Sequence, residues 1–183
     1  MIFSARARRL ATAGLSACAL LAGAGAALTA TAASAAPSGP ATPACISSNL
    51  TVWTGSPGDN ALGHSFWQVE VSNVGHHSCT LFGYPGVSVI NGGGHQVGKP
   101  ASHSGHKVTV TIPAGGTSHF LLTVTDPFIV CAHPVHASEL KVFAPGQFHA
   151  KTTPFPVAVC PHKVTLHVDA VHPGTGIPGH TTF

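Results

Sequence analysis

The most restrictive feature of this sequence is its division into short stretches by turn-forming residues. Runs of three to nine residues, alternating or rich in Val, Ile, Thr and Phe, are separated by clusters of Gly, Pro, Asn and Ser about every eight to twelve residues. None of these runs carries the apolar repeat of a helix. The pattern predicts an all-β fold, an antiparallel β-sandwich of seven to nine strands.

One run gives the clearest prediction of a core face. Residues 65–73 alternate well, which places Trp67, Val69 and Val71 on one side of a strand, and we expect this side to face the core. The predicted strands lie at 50–53, 65–73, 80–82, 87–90, 107–113, 117–125, 139–144 and 163–169.

The first 35 residues have the features of a secretory signal peptide. Three arginines within residues 6–9 precede an apolar stretch at 10–30, and Ala33-Ser34-Ala35 supplies small residues for cleavage before Ala36. We therefore expect a secreted protein with no transmembrane anchor after cleavage.

A lipid anchor at Cys18 is the alternative, because Leu15-Ser16-Ala17-Cys18 resembles a lipoprotein box. Only residues 10–14 separate this box from the arginines, and the apolar stretch continues beyond Cys18. Both features favour simple secretion.

The remaining chain divides into three predicted segments. Residues 36–44 form a Pro/Ser/Ala linker, residues 45–170 the β-sandwich domain, and residues 171–183 a flexible C-terminal tail.

Cleavage would leave a chain without net charge. Three of the eight basic residues are the arginines of the signal peptide, so five lysines remain against five carboxylates and the formal charge is zero. No basic patch is present to attract nucleic acid or anionic lipid, so we expect no nucleic-acid partner.

Four cysteines remain after cleavage, namely Cys45, Cys79, Cys131 and Cys160. An even number in an exported chain predicts two disulfides, for which three pairings are possible. We favour Cys45–Cys79 and Cys131–Cys160, which join neighbours in the sequence. A four-cysteine metal site is the less favoured alternative, because the gaps are long and C-x-x-C is absent.

The segment after Cys79 predicts a structural corner formed by Gly83, Tyr84, Pro85 and Gly86. Proline cannot donate to a strand ladder, and glycine tolerates positive φ, so the chain must turn here. An active site is disfavoured, because no carboxylate lies in this segment to orient His77 beside Ser78.

The spacing of these elements resembles a family of exported single-domain proteins of unknown function from high-GC Gram-positive bacteria. The resemblance covers about residues 45–169. It rests on Cys45, Gly63-His64-Ser65 at the start of a long strand, Val71-Ser72-Asn73 at its end, Cys79-Thr80-Leu81-Phe82-Gly83-Tyr84-Pro85-Gly86-Val87 and Pro113-Ala114-Gly115. It implies an immunoglobulin-like β-sandwich and no catalytic residue, with His64 in a structural role near the corner.

No motif of a known catalytic class is present. The sequence lacks a G-x-S-x-G elbow, an H-E-x-x-H motif and a phosphate-binding loop. We therefore expect a protein that is not an enzyme, has no catalytic residues and needs no cofactor.

Histidine provides the alternative functional hypothesis. All 14 histidines follow the signal peptide, and His103, His106, His133 and His136 occur as two close pairs in predicted loops. Neutral imidazole binds Zn, Cu and Ni, so extracytoplasmic binding of a divalent transition metal through these four residues is the second hypothesis.

The leading hypothesis is a non-catalytic interaction module of the bacterial cell envelope. We expect a monomer that binds an unidentified protein or cell-wall glycan. Trp53 and Trp67 would stack on sugar if exposed, but their positions in strands favour the core for both.

Overall fold

A computed structural model describes residues 41–55, 58 and 60–176. The predicted signal peptide, the alternative anchor Cys18, linker residues 36–40 and tail residues 177–183 lie outside this range. The described part of the chain holds no helix with the length and hydrophobicity needed to span a bilayer.

The fold is all-β, as the sequence predicts. A 3₁₀ turn at Ser47–Asn49 and a one-turn helix, α1 (Pro127–Val130), accompany thirteen strands in the described residues, and nine of these strands have three residues or more. The strands are β1 (Leu50–Thr54), β2 (Asn60–Ala61), β3 (His64–Asn73), β4 (Cys79–Phe82), β5 (Gly86–Ile90), β6 (Gln96–Val97), β7 (Ser102–His103), β8 (Thr109–Ile112), β9 (Thr117–Thr125), β10 (Val135–Phe143), β11 (Lys151–Val159), β12 (Leu166–Val168) and β13 (His172–Pro173).

Two main sheets form the immunoglobulin-like sandwich. One has the order β1-β3-β9-β12-β7, with β2 paired to β3 and β13 to β9, and the other has the order β11-β10-β5-β6. A third, two-stranded sheet joins β4 and β8. These pairings are antiparallel except that between β12 and β7, which is parallel.

The core lies between the inner faces of the sheets. Val69 and Val71 are fully buried, as expected, and they share one core cluster with side chains of the opposite sheet. Trp67 is half-buried and meets the Phe155 ring edge-on, with ring centroids 4.7 Å apart. Apolar alternation along β3 therefore identified the core face correctly.

The outer face of β3 departs from the expected pattern, because it is also covered. Glu70 has no exposed surface, and its register partners are Trp53 on β1 and His119 on β9. A Cβ placed on Gly176 would lie 2.6 Å from Gln68 Oε1, so the C-terminal segment packs against this face.

The boundary predicted for the C-terminal tail is therefore too early. Val171 is fully buried and His172–Pro173 pairs with β9, so the sheet extends past residue 170. The end of the predicted linker also joins the fold: Thr80 N donates to Pro43 O, and Cys45 N donates to Thr80 O.

Strand β11 was not predicted, because it contains Pro154 and Pro156. Proline lacks the N–H that a central strand needs on both sides, which argues against a strand in the sequence. The structure places β11 at the edge of its sheet, where only β10 requires backbone donors.

Both predicted disulfides are confirmed. Cys45–Cys79 and Cys131–Cys160 are bonded, with Cα atoms 4.7 Å and 6.0 Å apart. The first ties the N-terminal segment to β4, and the second ties the residue after α1 to the residue after β11.

Candidate binding surface

A cleft of about 590 Å³ opens at one end of the sandwich. Its walls are the β2–β3 hairpin, the segment from the end of β9 into α1, and the last part of β11. Val124, Pro127 and Val157 give the cleft apolar surface, and His64, Ser65 and Asp126 add polar groups. The cleft is therefore lined by both apolar and polar groups.

The tip of the β2–β3 hairpin displays a leucine in an unusual conformation. Leu62 has φ +49° and Gly63 has φ +79°, whereas a two-residue hairpin turn with two positive φ values normally begins with Asn, Asp or Gly. The Leu62 side chain is fully exposed, at 100% of its surface. Leu62 therefore exposes its apolar side chain to solvent. Its backbone also adopts a left-handed conformation, which is unfavourable for leucine.

Helix α1 displays two more apolar side chains beside the hairpin. Asp126 caps the helix, since its Oδ1 accepts from Phe128 N at 2.9 Å, and Pro127 occupies the first turn. Phe128 and Ile129 are then 70% and 69% exposed. We call Leu62, Phe128 and Ile129 the apolar rim.

The rim is held in place by bonds between its two loops. Asp126 N donates to Gly63 O at 2.8 Å, and a Cβ placed on Gly63 would lie 2.6 Å from Ile129 Cδ1, so the loops are in close contact. Lys163 Nζ donates to Val130 O at 2.7 Å. The Cys131–Cys160 disulfide then anchors the residue that follows α1.

The polar groups of the cleft make hydrogen bonds that do not form a catalytic relay. Ser65 Oγ accepts from Trp67 Nε1 at 3.3 Å, and His64 Nδ1 lies 3.3 Å from Thr125 Oγ1. Asp126 caps α1, and the contact of His172 Nε2 with Asp169 Oδ2, at 3.1 Å, lies outside the cleft. His64 was expected near the Gly83–Gly86 corner, and its place at the cleft corrects that expectation.

The four predicted metal ligands are not gathered into one site. His103 lies on β7, His106 in the following loop, His133 between α1 and β10, and His136 on β10. His103 is already used, because its ring stacks on Tyr84 and its Nε2 donates to Pro85 O at 3.2 Å. Within residues 41–55, 58 and 60–176, no group of three or more His, Cys, Asp or Glu side chains is arranged to hold a metal ion.

The predicted corner lies where the chain leaves one sheet for another. Gly83, with φ +109°, follows β4, and Gly86 begins β5 in the four-stranded sheet. Tyr84 fixes the corner: its hydroxyl donates to Gly105 O at 2.6 Å, and its ring stacks on His103 with centroids 5.1 Å apart.

The rim residues were missed by the sequence analysis. Asp126-Pro127 is a recognisable start signal for a helix, and it was the one available indication of α1. The exposure of Leu62, Phe128 and Ile129 has no signal in the sequence, because it depends on how two distant loops meet.

A comparison with protein families finds a match for this chain. The model of the family described as "Domain of unknown function (DUF4232)" matches residues 45–172, which is most of the chain. The chain belongs to the DUF4232 family. The match ends at the first residue of β13, in agreement with a domain that extends past residue 170.

The DUF4232 assignment agrees with the expected resemblance to a family of unknown function and carries no activity with it. No curated protein and no solved structure is significantly similar to this chain. The function of this DUF4232 domain must therefore be argued from its own surface.

Proposed function

We propose that this DUF4232 domain is a secreted or cell-surface-associated, non-catalytic interaction module. It contacts its partner, a component of the cell envelope or of the extracellular space, through the cleft and the apolar rim. The observation that carries the proposal is the rigid display of Leu62, Phe128 and Ile129 around a cleft.

Single exposed apolar residues are common and need no explanation, whereas clusters of them mark contact sites. Here the conformation adds to the argument. A left-handed backbone costs about 1–2 kcal/mol for a residue with a Cβ, and the exposed Leu62 side chain returns no burial to offset it. Contact with a partner would supply that burial.

The cleft and Cys45 lie at different ends of strand β11. Gln147 Nε2 donates to Cys45 O at 2.6 Å, and Gln147 lies in the loop that precedes β11, whereas the cleft uses the last part of β11. Strand β11 has nine residues, so the two ends are about 25–30 Å apart. Cys45 therefore lies at the opposite end of β11 from the cleft.

Two features support a location outside the cytoplasm. Disulfides are typical of exported proteins, and both disulfides of this domain are formed. The predicted signal peptide provides the export route. The partner classes that fit are a protein or a cell-wall glycan, with the domain acting as a monomer.

Binding of the fluorescently labelled chain, residues 36–183, to isolated cell envelopes of the producing organism tests the proposal. The chain should bind saturably, and the F128S variant should bind at least about tenfold more weakly, because a buried phenylalanine contributes about 1.5–3 kcal/mol. The matched control is F148S, since Phe148 is 90% exposed in the loop before β11, at the far end of that strand from the cleft. Equal binding by F128S and F148S, or no saturable binding by the unchanged chain, would refute the proposal.

A further inference from the structure

We infer that Cys131–Cys160 is a thiol-exchange site: an external dithiol reduces this bond in the folded domain, while Cys45–Cys79 stays oxidised. The reaction starts at the Cys131 sulfur and removes the covalent tether of the residue that follows α1. The inference goes beyond the proposed contact, because the reduction needs no partner at the rim.

The Cys45–Cys79 disulfide is buried on both sides. Cys45 and Cys79 are 1% and 7% exposed, and both belong to the hydrophobic core cluster. The backbone at Cys45 is also bonded, since Cys45 N donates to Thr80 O and Cys45 O accepts from Gln147 Nε2. A thiol therefore reaches this bond only after a local opening of the fold.

The Cys131–Cys160 disulfide lies beside an opening in the surface. Cys131 is partly exposed, whereas Cys160 is fully buried. Both cysteines line a hollow of about 230 Å³, together with residues 132–133 and 161–163. No carboxylate is among the described residues that line this hollow, so an incoming thiolate meets no negative side chain there.

Access to the sulfur, rather than loop length, distinguishes the two bonds. Their sequence separations of 34 and 29 residues correspond to similar chain entropies. The rate of thiol exchange depends on which sulfur is attacked and on how accessible that sulfur is. Buried structural cysteines are inert, so the partly exposed Cys131 is the point of attack.

The exchange conserves electrons and protons. One thiolate of the dithiol attacks Cys131 Sγ and forms a mixed disulfide, and the Cys131–Cys160 bond breaks with its electron pair on Cys160 Sγ. The second thiolate of the dithiol then attacks the first sulfur of the same dithiol, which closes a disulfide in the reductant and releases Cys131 as a thiolate. The dithiol loses two electrons, and the two protons that it gives up to solvent are replaced on the two cysteines.

The fold provides a hydrogen-bond acceptor for the reduced Cys160. Its Sγ lies 3.6 Å from Pro127 O, so the thiol formed on reduction can donate there. The same carbonyl accepts from Cys131 N at 2.9 Å, and Lys163 Nζ donates to Val130 O at 2.7 Å. Because these contacts do not require the covalent bond, reduction should loosen α1 without unfolding the sandwich.

Reduction of the chain, residues 36–183, by dithiothreitol under native conditions tests the inference. Samples are alkylated at intervals, and peptide mass spectrometry follows each cysteine. Alkylation of Cys131 and Cys160 should appear at least about tenfold faster than that of Cys45 and Cys79. The matched control is C45S/C79S, in which the remaining bond should be reduced at an unchanged rate.

A monothiol tests which sulfur is attacked. Reduced glutathione should be trapped as a mixed disulfide on Cys131 and not on Cys160. Glutathione on Cys160, or equal reduction rates for the two disulfides, would overturn the inference, because equal rates mean that unfolding exposes both bonds together.

Hydrogen exchange of the selectively reduced chain, kept in dithiothreitol, measures the consequence for α1. Residues 128–130 should exchange faster than in the oxidised chain, while β9 keeps its protection. Unchanged exchange at 128–130 would show that the bond does not hold α1. None of these measurements uses binding to cell envelopes, so this inference and the proposed function can fail separately.

Discussion

At the residue scale, Leu62 precedes strand β3 and Asn73 ends it. We expect the two residues to have opposite effects on the stability of the folded domain. Asn73 is buried, and its Nδ2 donates to His77 O at 2.8 Å and to Pro113 O at 3.0 Å, while its Oδ1 accepts from Gly75 N. It joins the end of β3 to two turns. The Leu62 side chain, in contrast, is fully exposed, and its backbone is in a left-handed conformation.

Replacing Leu62 by asparagine should therefore stabilise the folded domain. Asn is preferred at this turn position, so L62N should raise the free energy of unfolding by about 1 kcal/mol and the melting temperature by about 3 °C. Differential scanning calorimetry measures both. The matched control is L62A, which removes the same apolar side chain but lacks the carboxamide that allows Asn to adopt positive φ. A gain in L62A equal to that in L62N would show that conformation is not the cause.

The sequence indicated the structural role of Asn73 but not that of Leu62. Asn73 was expected to close a strand, because alternation ends there and turn residues follow, although its bonds to two separate turns arise only from tertiary packing. The backbone conformation of Leu62 could not be predicted from the sequence. A Leu-Gly pair in a turn gives no indication of its φ angles until the strands on either side are paired.

At the scale of elements, α1 is a helix of a single turn that depends on its cap. A single helical turn has almost no intrahelical hydrogen bonding to stabilise it. Its order comes from the Asp126 cap, the Asp126 N–Gly63 O bond and the covalent anchor at Cys131. Because α1 carries Phe128 and Ile129, its order decides how two of the three rim residues are presented.

Removing the cap should loosen α1 without unfolding the sandwich. D126A should lower the free energy of unfolding by about 1 kcal/mol and increase amide hydrogen exchange at Phe128. D126N keeps a side-chain oxygen acceptor and should retain most of the protection. Equal exchange in D126A and the unchanged chain would mean that the cap does not order this turn.

Prediction of elements succeeded where one physical signal was dominant. Residues 117–125 were predicted and found as β9, since β-branched residues and alternation agree there. Strand β11 was missed because proline opposes a strand unless the strand lies at an edge, and edge position is a property of the assembled sheet. The parallel β7–β12 pair was also missed, because β7 has only two residues, too few to show an alternating pattern.

At the scale of the whole molecule, the two disulfides act on different ends of the sandwich. Cys45–Cys79 closes a loop with a sequence separation of 34 residues, and Cys131–Cys160 one of 29. Loops of this size give similar stabilisation, about 3–4 kcal/mol each, in the chain-entropy model. The bonds differ in their neighbours, because only Cys131–Cys160 adjoins the rim.

Removing either disulfide should therefore lower stability by a similar amount but affect the rim differently. C45S/C79S and C131S/C160S should each lower the melting temperature by about 10 °C. Only C131S/C160S should speed hydrogen exchange at residues 128–130, measured by mass spectrometry well below the melting temperature. Faster exchange there in C45S/C79S would mean that the two ends are coupled and that the bonds are not independent supports.

The fold class, the presence of two disulfides and the corner were within reach of the sequence, since turn residues and cysteine counts can be read from the sequence directly. The proposed contact surface was not. It is assembled from residues 60–65, 124–129 and 156–158, and nothing in any one segment shows that the three meet. The four histidines of the metal hypothesis do not come together for the same reason. Nearness in sequence does not bring side chains together across two sheets.

The pairing of residues 43–45 with β4 has a mechanical consequence. A pulling force applied through Pro43 meets two backbone hydrogen bonds to Thr80 and then the covalent Cys45–Cys79 link. Tension is therefore passed directly into β4, and β1 is shielded from being peeled off β3. Force along residues 43–45 therefore reaches β1 only after the covalent bond to Cys79 has taken part of it.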